Sequence, residues 1–145
     1  MAINLKQNAD MSAGLQGTDG TDGEFVILTF PYNATANASI LTLGGAAMSR
    51  RMVVKSIIGV PDATTTNAVT ITVYKAASGT ALASGTALHS GTYNCQGTAA
   101  TNQALTLSTT SGVVDVAAGS RIGAVISGAP GAAGAGMITV TLAPA

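Results

Sequence analysis

The chain has no tryptophan, only two Phe and three Tyr, a single Cys, a single His, and 8% charged residues in a length of 145. Each shortage excludes something. With 3% aromatics, any core must be filled by Val, Ile, Leu, Met and Ala, which suits thin aliphatic sheets. One cysteine, Cys95, rules out an internal disulfide and leaves the compartment open. An ordinary soluble domain carries roughly 25% charge, so this surface must be built mainly of Thr, Ser, Ala and Asn. Monomers are usually kept soluble by charge; much of this exterior is therefore expected to be covered in an obligate assembly. Net charge is zero, and the largest basic cluster is Arg50-Arg51 with Lys55 nearby. Phosphate contacts dominate nucleic-acid affinity, so no nucleic-acid partner is expected. The N-terminus has one Lys and no apolar h-region, and no run reaches about 18 apolar residues, so neither classical secretion nor membrane spanning is expected.

What is present is period-two alternation. The stretch Arg50 to Lys75 reads as two strands: Met52, Val54, Ile58 and Val60 share one parity, and Val69, Ile71 and Val73 alternate with Thr70, Thr72 and Tyr74. Pro61 cannot donate to a ladder, and Asp62 and Asn67 favour local backbone bonds, so PDATTTN is predicted to turn the two limbs into a hairpin. Such a ribbon cannot bury its apolar face alone and requires a second layer.

Residues 1–24 show no sustained period and end in a doubled Gly-Thr-Asp, which reads as an extended arm ahead of one β-domain over 25–145. Lys6 against Asp10, Asp19, Asp22 and Glu24 leaves the arm at −3 and the remainder at +3. An acidic arm lying on a mildly basic neighbour is one reading and a frayed terminus is the other; Asp19, Asp22, Glu24, Arg50 and Arg51 are the candidate interface residues. The three acids also resemble oxygen ligands for a hard cation. They lack the alternate-position pattern and distant bidentate Glu of a calcium loop, so a solvated turn and no metal are expected.

Phe25 to Phe30, stopped by Pro31, suits a strand buried on both sides or lying at a subunit contact. Leu41 and Leu43 share a face in the next segment. Asn33-Ala-Thr35 and Asn37-Ala-Ser39 match the glycosylation pattern but read as turn residues. The repeat SGTALA, SGTALH, SGTYNC has too few copies for a β-helix and is expected to be a long sheet-to-sheet connection with Leu82 and Leu88 tucked beneath it. His89 and Cys95 lie within it. A nucleophile and base would need a third orienting group, and nothing marks Asp62 or Asp115 as that group, so the bland pair is a loop histidine and a partly buried thiol.

Further strands follow at Leu105/Leu107, Val114/Val116, Ile122/Ala124/Ile126 and Ile138/Val140/Leu142, with the small-residue run from Gly128 to Gly136 as a mobile loop or as backbone pressed against a partner. The sum is an all-β chain of about eight strands, an antiparallel sandwich of jelly-roll kind with an extended N-terminal arm. The segment VVDVAAGSRIGAVISG and the last strand MITVTLAP resemble the ending of jelly-roll trimers of the tumour-necrosis-factor-like and complement-head kind, with Ser120 where those turns usually have Asp. More broadly, residues 25–145 resemble the Ala-, Gly- and Thr-rich head-decoration (cement) proteins of tailed bacteriophages. That resemblance implies a homotrimer on the outer capsid surface, assembled in the host cytoplasm, that clamps neighbouring major capsid subunits and uses no cofactor. On it, removal of residues 1–23 is predicted to leave a folded trimer that no longer binds capsids. The alternative is a receptor- or glycan-binding sandwich of a tail or fibre, for which Tyr32, Tyr74 and Tyr93 are the candidate sugar-stacking residues. An enzyme is not expected, because no catalytic constellation is present.

Overall fold

A computed structural model of the chain describes residues 25–34, 40–128 and 134–145. The arm with Asp19, Asp22 and Glu24, the second glycosylation-like Asn37 and most of the glycine-rich run lie outside the described residues. The strands are β1 (Val26–Ala34), β2 (Ile40–Ala47), β3 (Met52–Ala63), β4 (Thr70–Ala76), β5 (Thr86–Ala87), β6 (Tyr93–Asn94), β7 (Gln103–Ala104), β8 (Asp115–Val116), β9 (Arg121–Ser127) and β10 (Gly134–Pro144), with one 3-10 turn at Leu82–Ser84. Asn33 is a strand residue near the end of β1 rather than a turn residue.

One sheet runs β1-β10-β3 and is completed by β7 and β8, both paired to β3; the other runs β2-β9-β4 and is completed by β5 and β6, both paired to β4. Every pairing is antiparallel. Taking β5/β6 as one interrupted strand and β7/β8 as another leaves eight positions, ordered 1-8-3-6 against 2-7-4-5. That is the order of a jelly roll. Its core is aliphatic: Ile71, Val73, Leu88, Val116, Ile122, Ile138, Val140 and Leu142 are all fully buried.

The expected hairpin does not form. β3 and β4 belong to different sheets, and residues 64–69 carry the chain across the sandwich. Side-by-side pairing would place the apolar faces of the two strands on one surface with nothing opposite. Crossing lets Val69, Ile71 and Val73 close over the core from the other side. Backbone bonds from Thr65 N to Cys95 O and from Cys95 N to Val69 O secure the crossing. Pro61 stays in β3, beyond the residues that pair with β7 and next to a register shift at Ala135/Gly136, where a missing N–H costs little.

The face parity of β3 also differs from the sequence pattern. Met52 and Val54 point inward, but the next inward residues are Ile57, Gly59 and Pro61, because the register against β10 slips at Lys55. The slip is a bulge, and it re-aims everything after it. Its reason lies across the core. A Cβ on Gly59 would stand 2.3 Å from the ring of Tyr93, so Gly59 is the residue that can face inward there. Ile58 and Val60 are consequently turned to the outside.

The two flanks of the sandwich are finished differently. On the β5–β8 side the sheets are stitched together by the bridge His89–Leu107 and by Ser90 N to Thr106 O and Ser108 N to Leu88 O. The repeat segment does not connect one sheet to the other, as its sequence led us to expect; it stays with the sheet of β4, to which both β5 and β6 pair, with Leu82 and Leu88 buried, and the chain passes to the other sheet between β6 and β7. On the opposite flank β1 and β2 are the outermost strands of their sheets and do not pair with each other.

Candidate interface surfaces

The outward face of the β1-β10-β3 sheet is set by cross-strand register. Three rows cross it: Pro31–Met137–Val60, Thr29–Thr139–Ile58 and Ile27–Thr141–Ser56. No charged residue falls in these rows; Lys55 at the bulge and Asp62 near the end of β3 are exposed at the margin. Ile27 is 63% exposed, Met137 43%, and Phe25, just ahead of β1, 59%. The face is uncharged rather than continuously apolar: Pro31, Met137 and Val60 form one apolar row, and threonines separate it from Ile27. The run FVILTF is therefore not buried on both sides: Phe30 points into the core while Phe25 and Ile27 lie open.

At the open β1/β2 flank, Val26, Leu28, Ala46, Met48 and Met52 line a groove of about 370 Å³ with Ser49 and Arg50 at its rim. Met48 and Met52 belong to the core, so here the core reaches the surface. Arg51 points elsewhere. Its guanidinium makes a two-pronged contact with Asp115 at the start of β8, with Nε at 2.9 Å from Oδ1 and a second bond from the terminal nitrogen to Oδ2. This pairing holds the Asp115 carboxyl below its ordinary pKa and the Arg51 guanidinium above its own. The predicted site residues Arg50 and Arg51 are thus adjacent in sequence but engaged on different surfaces.

A second hollow, of about 330 Å³, is lined by Lys75, Thr80, Ser84, Thr86, Asp115 and Ser120. Lys75 Nζ donates to the carbonyls of Gly112 and Asp115, both at 2.6 Å, which ties β4 to the loop before β8. Desolvation by burial lowers the Lys75 pKa. Among the described residues, no group of three or more His, Cys, Asp and Glu is placed to hold a metal ion. No helix among them is long and apolar enough to cross a membrane.

His89 and Cys95 are both buried, and each is engaged structurally. His89 Nε2 accepts the Val73 N–H at 3.0 Å, which makes it an acceptor that fills a gap in the sheet, and burial lowers its pKa. Burial pushes the Cys95 thiol up to about 11, the opposite of nucleophile activation. Of the three tyrosines, Tyr32 and Tyr93 are buried, with rings 5.8 Å apart edge to face and hydroxyls 2.8 Å apart. Burial raises both phenols, Tyr93 to about 12 and Tyr32 further. Gly136 makes room for Tyr32 as Gly59 does for Tyr93. Tyr74 packs outside the second sheet against Ala76, Leu82 and Val125. The tyrosines therefore supply no exposed aromatic platform for a sugar.

The fold defines the class, an all-β sandwich wound as a jelly roll. No family model and no curated protein matches the chain. Among solved structures, a chain of infectious bursal disease virus, Gx strain, is similar at 12% identity and a TM-score of 0.44, over 86% of this chain and 33% of that one. A chain of the Gt strain of the same virus is similar at 13% identity and a TM-score of 0.34, over 85% and 34%. The protein spans about a third of the length of these chains.

Proposed function

We propose that the protein is a structural virion component, a capsid decoration protein whose jelly roll is a rigid spacer and whose outward β1-β10-β3 face meets major capsid subunits. The observation that carries this reading is the uncharged face itself. The Lys55 bulge turns Ile58 and Val60 outward to join Ile27 and Met137, although either β-branched residue would be stabilising in a core. On this reading the protein does no chemistry. It adds contact area across joints between subunits, and the working unit is a homotrimer on the outer surface of the head.

Light scattering behind size exclusion, at several concentrations, tests the oligomer; the expected mass is three times the 14.1 kDa chain. The double variant Ile27→Glu/Met137→Glu should keep that mass and lose capsid binding by about a hundredfold or more, as the removal of two interface anchors of about 1.4 kcal/mol or more each implies. Full binding by the folded variant would sink the assignment of this face. A variant that falls to monomer would move the face from capsid contact to trimer contact.

A further inference from the structure

Two features lie together at the open flank. The groove between β1 and β2 is apolar along its floor and has Arg50 at its rim. The chain enters the sandwich there, since Phe25 immediately precedes Val26, one of the groove residues. The 24 residues before Phe25 carry a net charge of −3, three of the acids being Asp19, Asp22 and Glu24, and the first large aliphatic side chain met going back from Phe25 is Leu15.

We propose that the groove is the docking site for the protein's own N-terminal segment, with Leu15 seated against Val26, Leu28, Met48 and Met52 and the acids of residues 19–24 beside Arg50. Reach permits this. Nine residues separate Leu15 from Phe25 and span up to about 30 Å extended, and Gly17, Gly20 and Gly23 let the backbone double back within that length. Charge favours it, because an acidic segment meets the more basic remainder of the chain at the point where the two join. Effective concentration selects the chain's own arm over that of another copy: a short tether holds Leu15 near the groove at about millimolar concentration, far above a micromolar partner.

The test is disulfide trapping in the free full-length protein, without capsids, so that its failure is separate from failure of the decoration reading. Gln16→Cys is combined with Ala47→Cys in the groove or with Thr109→Cys on the far flank, and each pair is oxidised with diamide, which takes up the two hydrogens released as the S–S bond forms. Buried Cys95 stays out of the exchange. The groove pair should close within one chain at least about tenfold faster than the far pair, and Leu15→Asp should remove that advantage. Equal rates for the two pairs would overturn the proposal. A disulfide-linked dimer as the main product of the groove pair would overturn it too, by assigning the groove to another copy's arm.

Discussion

Val73 is fully buried, and both of its main-chain groups are satisfied by consecutive residues of the neighbouring strand position: its carbonyl by Leu88 N–H and its N–H by the imidazole of His89. Replacing His89 with Leu fills similar space but leaves a buried N–H with no acceptor, at a cost of about 1–3 kcal/mol. In a chain of this size each kcal/mol lowers Tm by about 2–4 °C. The pH dependence makes the test specific. Burial depresses the folded-state pKa of His89 below its ordinary 6.5, so the neutral acceptor stabilises the fold fully above that pH, and the contribution is lost as pH falls through the folded value. Urea unfolding of both proteins near pH 7.5 and near pH 5, at one protein concentration, reads the difference. The wild type should be the more stable at the higher pH, and the gap should narrow at the lower. A gap that is absent at pH 7.5, or that widens on acidification, would show that the imidazole is not acting as an acceptor.

Two further outcomes are expected. Gly59→Ala places a methyl 2.3 Å from the buried Tyr93 ring; this overpacking should cost about 1–3 kcal/mol or more in thermal melts, and an unchanged Tm would show that the ring is free to move. Cys95, fully buried with its thiol raised to about 11, should resist Ellman's reagent at pH 8 in the native protein and react stoichiometrically in denaturant; fast native labelling would contradict its placement.

The inward rows Val69/Ile71/Val73 and Ile138/Val140/Leu142 were legible in the sequence because strict alternation over a regular strand has only one way to face a core. β3 was misread after Val54 because a bulge is invisible to a period-two count, and here it answers to a tyrosine some thirty residues later. The hairpin reading failed for a related reason. A polar stretch of this length connects paired strands or opposite sheets equally well, and only the whole core decides between them. Of the two-residue strands, β8 falls on the Val114/Val116 pair and β7 just ahead of Leu105/Leu107, both legible as alternation, whereas β5 and β6 lie inside the repeat, whose small residues carry too little pattern to read. Of the candidate interface residues, Arg50 and Arg51 stand at the surface, but the partner that orders Arg51, Asp115, lies on a distant strand, beyond what local spacing shows.

The shortness of β5 to β8 has a consequence for a protein made in many copies with so little charge. A long bare strand offers other chains a template for edge-to-edge growth, which is how uncharged β-proteins turn into fibrils. On one flank this sandwich presents fragments of two residues whose neighbours are already bonded across the gap. Strand addition there has no continuous ladder to copy. Among the described strands the longer edges lie at β1 and β2, so the two flanks differ in what they offer a neighbouring chain.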